Sequence, residues 1–382
     1  MKRFSVLLPT RNGGPFIDNC IRSILNEDAD LELVISDNAN TDETPAVLER
    51  WRADRRVKIL RFDEPRPVSE NWNHALGAAS GEYLLMMGDD DCILPGYFKR
   101  MESVIARHDH PDCILYNAFS YVAPGSIDRD ENSYYAERHF CYEPGLDHEM
   151  VLPAAMRKAM VRDMFRFQVR IPLNMQTTLV RRQAGNLVPG GLFQPPFPDH
   201  FALNCLLMLA HKWIFVPEQI VTIGVSPKSF GHYIYSNNQA RGLSYLGIKA
   251  QFPGRLNGNE LLNGMHVWLN MLEHAFPAEL GNTSIDRGGY VRRQAYAWLM
   301  QRKLGSISTG QLMSNFRQLS PRDWRGLACS VFDHQSWRRL TRLLEFSAKS
   351  KMEKQWYGLR PLPHIRNIAE FAAWAANRNG KS

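Results

Sequence analysis

Through roughly the first hundred residues, short apolar runs alternate with segments whose apolar residues recur every three or four positions. Phe4 to Leu8, Leu31 to Ser36, Val57 to Phe62 and Tyr83 to Met87 read as strands, the first and last of them buried. Between the first two, Ile17, Cys20, Ile21, Ile24 and Leu25 fall at helical spacing. Thr41 to Thr44, with Pro45 in the first turn, opens a helix carrying Val47, Leu48 and Trp51, and a further helix runs from about Ser69 to Ala79. A helix over Tyr97 to Arg107 and a strand over Cys113 to Val122 complete this half. The alternation predicts an α/β fold with a doubly wound, mainly parallel sheet flanked by helices.

Three loops, Pro9 to Gly14, Asp37 to Asp42 and Asp89 to Asp91, leave the carboxyl ends of strands and are expected to converge on one cleft. The last is distinctive. A strand apolar on both faces ends in the consecutive carboxylates Asp89, Asp90 and Asp91. Like charges this close oppose one another's ionisation unless a cation or ordered donors compensate them. A hard divalent ion is the economical explanation, since Mg²⁺ takes one or two carboxylates and completes its shell with water and phosphate oxygens. A solvated turn with one Asp capping the next helix is the alternative.

Farther along, about Pro124 to Glu149 has little regular pattern, includes Tyr134, Tyr135 and Tyr142, and is read as a lid, a disordered stretch or, as the favoured choice, an acceptor-contacting segment. Asp199 stands at the start of a helix with Ala202, Leu203, Leu206 and Leu209 on its core stripe, and two short strands follow at Trp213 to Val216 and Ile220 to Ile223. From about Ser236 the pattern becomes helical: Leu261 to Phe276, the basic amphipathic Tyr290 to Leu304 and Trp337 to Phe346, and the apolar Ile368 to Ala376. The expected organisation is a nucleotide-binding and catalytic domain over 1–235 and a mainly helical basic region over 236–382 that packs partly on it.

Composition narrows the classes. With 382 residues, 44% of them hydrophobic, the chain can bury a sizeable core. Six cysteines without C-x-x-C spacing read as buried thiols of a reducing compartment, not as disulfides or a zinc site. No run approaches the roughly 20 apolar residues of a membrane span, and Phe4 to Leu8 is too short for a signal segment, so a cytoplasmic or peripheral location is expected. The net charge of +7 is uneven: Arg287 to the end holds about 18 Lys and Arg against about 5 Asp and Glu. The basic helices suit an anionic membrane surface, with a solvated face or dimer contact as the alternative. Nucleic acid is not expected, because the front half is acidic and carries no binding motif for it. Neither G-x-G-x-x-G after the first strand nor G-x-x-x-x-G-K-[ST] is present, which removes support for a dinucleotide dehydrogenase or a P-loop ATPase.

Ser5 to Asn12, Val34 to Asp42 and Gly81 to Asp91 together resemble, in order and spacing, the successive signatures of the family 2 glycosyltransferases of GT-A fold. The resemblance covers roughly the first 225 residues. It implies that Pro9, Thr10 and Arg11 line a nucleotide pocket, that Asp37 reads the base beside Asn38, and that Asn73 and the Asp89–Asp90 pair contact the nucleotide. The metal would be held by Asp90 and Asp91, counted back from Pro95, whereas a literal D-x-D reading takes Asp89 and Asp91. The resemblance further implies Asp199 as catalytic base, His232 as a metal or product ligand and Lys228 as a phosphate contact. Three positions depart from the pattern: Asn38 where a second Asp is frequent, Trp72 where Arg often precedes the Asn, and Pro198 where an acidic residue often stands. For Asp199 an N-cap, for Asn38 a turn former, for Trp72 a core residue and for His232 a surface residue are the structural alternatives.

The expected function is therefore inverting glycosyl transfer from a UDP, GDP or TDP sugar to a hydroxyl of a glycan or lipid-linked acceptor, with Mg²⁺ or Mn²⁺. Bacterial surface polysaccharide or lipopolysaccharide synthesis is the implied setting. The alternatives are a sugar-nucleotide pyrophosphorylase and a catalytically silent nucleotide-sugar-binding scaffold.

Overall fold

The computed structural model describes residues 2–126, 132–138, 146–168, 174–227, 229, 239–248, 255–303, 305–329 and 358–379. Lys228, His232, Tyr142, Cys141 and the segment Trp337 to Phe346 lie outside these residues. The strands are β1 (Phe4–Thr10), β2 (Leu31–Asn38), β3 (Val57–Phe62), β4 (Tyr83–Met86), β5 (Cys92–Ile93), β6 (Cys113–Val122), β7 (Ser133–Arg138), β8 (Met150–Val151), β9 (Thr178–Arg181), β10 (Trp213–Val225) and β11 (Arg360–Leu362). Helices of the first half are α1 (Gly14–Leu25), α2 (Thr44–Trp51), α3 (Val68–Ala78), α4 (Tyr97–Arg107), α5 (Ala154–Phe165), α6 (Arg182–Gly185) and α7 (Pro198–Leu209). The remainder contributes α8 (Gln239–Tyr245), α9 (Glu260–Ala275), α10 (Pro277–Leu280), α11 (Arg287–Lys303), α12 (Thr309–Arg317), α13 (Pro321–Cys329) and α14 (Ile368–Asn379).

All strands join one sheet in the order β11-β7-β6-β9-β4-β1-β2-β3, with β10 on β6. The part formed by β3, β2, β1 and β4 is parallel, as predicted. Beyond it the sheet is mixed: β9 runs antiparallel to β4 and β6, and β7 antiparallel to β6. Strand alternation explains why the first strands are apolar throughout. Phe4, Val6 and Leu8 enter the core shared with α1, α2 and α4, while Leu7 enters the core on the opposite face.

That opposite core also holds α5, α7, α9 and α11, through Phe165, Leu206, Trp268, Tyr290 and Trp298 among others. The helical second half therefore shares a core with the sheet. Its final residues go further: β11 pairs antiparallel with β7, and Phe371, Ala372 and Ala375 of α14 pack against Cys92, Phe119 and Tyr121. The sheet thus includes residues from both sides of position 235.

Several sequence expectations need correction. The segment expected to be irregular contains β7, and its Tyr134 and Tyr135 are buried in the sheet instead of facing an acceptor. The two strands expected around Pro217 are one, β10, carried through by a register shift between Val216 and Val221. The apolar side of α11 is buried in the helical bundle, with Trp298 fully enclosed, so this helix offers no apolar face to a membrane. Among the described cysteines four are buried, but Cys329 is exposed.

Candidate functional site

The three carboxyl-end loops do meet. Thr10, the last residue of β1, donates its hydroxyl to Asp89 Oδ2 at 2.6 Å. The Asn12 backbone N–H donates to Asn40 Oδ1, and Asn12 Oδ1 accepts from Thr41 N at 2.9 Å. Asp42 Oδ2 accepts from Gly14 N at 3.1 Å. Asn12 and Ala39 adopt left-handed backbone, with φ of 55° and 52°. Such conformations persist where surrounding contacts impose them, and they often mark sites of function.

Within the triplet each carboxylate has a different task. Asp91 is 2% exposed and both its oxygens accept backbone N–H groups, Gly88 N at 2.6 Å and Gly224 N at 2.9 Å. It pins the turn after β4 to β10. Asp90 Oδ2 accepts from the Ser226 hydroxyl at 2.8 Å. Burial, then the neighbouring Asp91 and Asp89 charges, push the Asp90 carboxyl well above the ordinary aspartate range. Asp89 is cradled by the glycine loop: a Cβ on Gly13 would stand 2.2 Å from its Oδ2.

Close packing at Gly224 yields a prediction. A Cβ there would lie 1.8 Å from the backbone oxygen of Asp90, an atom that cannot swing aside. Gly224→Ala is expected to cost about 3 kcal/mol of stability, measured as a lower urea midpoint at unchanged slope. A midpoint equal to wild type would mean that β10 and the triplet are not in contact.

The remaining expected residues are placed as follows. Asp37 is buried, its Oδ1 accepting from the Asn40 backbone N–H at 2.9 Å and side-chain amide at 2.6 Å, with Arg61 Nε 3.7 Å from Oδ2. Asn38 clamps the stretch before α3, donating to Arg66 O at 2.9 Å and accepting from Arg66 N at 2.7 Å, as a turn former does. Pro9 lies within buried β1. Asn73 donates to Phe193 O at 2.7 Å, and Trp72 meets the Phe193 ring edge-on at 5.1 Å, which makes Trp72 a packing residue. Arg11 is engaged from the second half of the chain. Its guanidinium lies 4.9 Å from the Tyr245 ring centroid, it donates to the Tyr245 carbonyl, and the Tyr245 hydroxyl donates to the Arg11 carbonyl.

Asp199 occupies the first turn of α7, behind Pro198, whose fixed φ suits a helix start. Phe197, not Asp199, stands at the N-cap, and no side chain caps these amides. Asp199 Oδ1 instead pairs with His200 Nδ1 at 2.8 Å. Sequence reasoning missed Ser226, Gly224, Asn40, His200 and Tyr245. A Ser directly after a strand that ends beside the triplet was the available signal for the first; the others depend on long-range placement.

The chain is thus an α/β protein whose carboxyl-edge loops gather a carboxylate pair beside a glycine loop. Residues 5–165 match the family model described as glycosyl transferase family 2. One relative is the GalNAc(5)-diNAcBac-PP-undecaprenol beta-1,3-glucosyltransferase of Campylobacter jejuni, 35% identical over 99 residues, which are 25% of this chain and 32% of that protein. Another is the poly(ribitol-phosphate) beta-N-acetylglucosaminyltransferase TarS of Staphylococcus aureus, 30% identical over 125 residues, covering 30% of this chain and 21% of TarS. The chain thus aligns with a third or less of the length of these relatives. The crystal structure of S. aureus TarS 1–349 superposes with a TM-score of 0.46 at 16% identity, over 88% of this chain and 91% of that one. A mannosyltransferase from Pyrobaculum calidifontis in complex with GDP-Man and Mn²⁺ gives 0.42 at 17% identity, over 100% and 88%.

Proposed function

We propose that the protein is an inverting glycosyltransferase that moves a sugar from a nucleoside diphosphate to a hydroxyl acceptor with the help of Mg²⁺ or Mn²⁺. The observation that carries this reading is the convergence of Thr10, Asp89 and Asp90, inside the segment that matches family 2, with Ser226 from beyond it, at the carboxyl edges of β1, β4 and β10. Asp89 and Asp90 fit a divalent ion. They are adjacent carboxylates whose like charges, when both are ionised, call for a compensating cation. Two carboxylates suit an ion that completes its shell with diphosphate oxygens and water. Asp91, spent on backbone amides, serves the turn, so the ligand pair is assigned to Asp89 and Asp90.

When bound, the ion would offset the charge that develops on the departing nucleoside diphosphate. The rest falls to the chain. Thr10 and Ser226 orient the two carboxylates, Asp37 and the Asn40 loop border the base-binding end, and Asp199 takes the proton of the attacking hydroxyl. Inversion requires attack opposite the leaving group, and the α7 start supplies a carboxylate from an element separate from the triplet.

Both relatives act, by name, on acceptors that carry phosphate. The excess of Lys and Arg after Arg287 suits such an anionic acceptor or the surface that presents it. Among the described residues no helix is long and apolar enough to cross a membrane.

The direct test is thermal stabilisation by UDP, GDP and TDP, each with and without Mn²⁺, on wild type and Asp90→Ala. At a hundredfold excess over its dissociation constant the cognate nucleotide is expected to add about 2.7 kcal/mol, only with metal and only in wild type. If no nucleotide stabilises the wild type, the reading falls and the triplet is a structural turn.

A further inference from the structure

In the first turn of α7, neighbouring side chains diverge by about 100° and seldom meet. Asp199 and His200 meet nonetheless, with Nδ1 to Oδ1 at 2.8 Å. The cause lies in the second half of the chain. The His200 imidazole lies flat on the indole of Trp268, with planes 4° apart and centroids 4.2 Å apart. Phe197 closes the edge of both rings, 6.2 Å from His200 and 5.9 Å from Trp268. Trp268 itself is fully buried on α9, above Gly264, where a Cβ would approach its Cη2 to 2.9 Å. The imidazole is thus held in one plane by a rigid neighbour, and its Nδ1 is aimed at the carboxylate.

We infer that His200, clamped by Trp268, is a positioning residue for Asp199. The inference rests on the reading of Asp199 as the base. A proton on Nδ1 donates to Oδ1 and fixes the carboxylate rotamer. It also leaves Oδ2 without a hydrogen-bond partner among the described residues, and that oxygen receives the acceptor proton. The helical half of the chain thereby contributes to the reaction through two stacked rings, without touching substrate.

The test uses the full chain and follows Mn²⁺-dependent hydrolysis of UDP-glucose, UDP-GlcNAc and GDP-mannose, with water as acceptor. His200→Phe keeps a ring on Trp268 and loses the donor. His200→Asn supplies an amide N–H close to the Nδ1 position. His200→Phe is expected to lose about tenfold in kcat at unchanged KM, because the carboxylate has lost the donor that orients it. His200→Asn is expected to return to within about threefold of wild type. A kcat for His200→Phe within twofold of wild type, or an Asn variant as impaired as the Phe one, overturns the inference. Asp199→Asn separates the two levels: if it retains turnover, the base reading fails and the inference with it. If it is inactive while His200→Phe is not, the inference alone fails. Independently of turnover, ¹⁵N-histidine spectra of the wild type are expected to show His200 protonated on Nδ1, with a shift in Asp199→Asn. An Nε2–H tautomer overturns the proposal even if no donor is hydrolysed.

Discussion

Asp199→Asn is expected to lower glycosyl transfer about a thousandfold while leaving metal-dependent stabilisation by the donor nucleotide intact. The amide matches the carboxylate in size, so Pro198, His200 and the stack on Trp268 are undisturbed. What disappears is the ability to accept a proton. Without a base the acceptor hydroxyl attacks in its neutral form, and the barrier rises by the contribution general-base catalysis makes. On the proposed reading the nucleotide is held elsewhere, by the β1, β2 and β4 loops, so its binding would report an intact fold. Turnover within tenfold of wild type would remove Asp199 from the mechanism and return it to its place as an ordinary first-turn aspartate.

The largest stability effect is expected at a residue far from the chemistry. Arg157, on α5, is 3% exposed and donates to Leu207 O and Ala210 O at 2.8 Å, to Leu152 O at 3.2 Å and to His211 O at 3.3 Å. Three of these carbonyls belong to the end of α7 and the turn after it, where the helix leaves its last acceptors unsatisfied. Burial lowers the Arg157 pKa, yet the guanidinium stays charged and offsets the negative end of the helix. Arg157→Met keeps the aliphatic volume but strands three buried carbonyls and the carbonyl of the more exposed His211. Leaving such groups unpaired costs about 1–3 kcal/mol each, partly recovered by water or relaxation, so a loss of about 4 kcal/mol is expected in urea unfolding. A loss below about 1 kcal/mol would mean that water replaces the guanidinium at little cost.

The parallel part of the sheet was legible because β1, β2 and β4 are buried on both faces and its helices carry apolar residues at a single period. The bounds of α4 and β6 coincide with the sequence reading. The carboxylate triplet was legible for a related reason: charge at the end of an apolar strand has few places to go. What escaped was whatever depends on distant partners. Ser133-Tyr-Tyr-Ala-Glu-Arg138 does not look like a strand until Arg360–Leu362 pairs with it. Asp91 is indistinguishable from Asp90 in sequence, and only the approach of Gly224 separates the ligand from the tether. Arg157 sits in an Ala- and Lys-containing helix and reads as a surface residue until the end of α7 is placed over it. His200 likewise acquires a role only when Trp268 arrives from α9.

The pairing of β11 with β7 also carries a consequence for synthesis. Ser133–Arg138 forms the flank of β6 long before its outer neighbour exists, since Arg360–Leu362 comes late in the chain. At about 5–20 residues per second the ribosome needs roughly ten to forty-five seconds to deliver that neighbour. For that interval the nascent chain displays an open β-edge, a template for pairing with other chains. β11 thus works as a clasp fastened late, and the pace of translation decides how long the half-made sheet must be shielded.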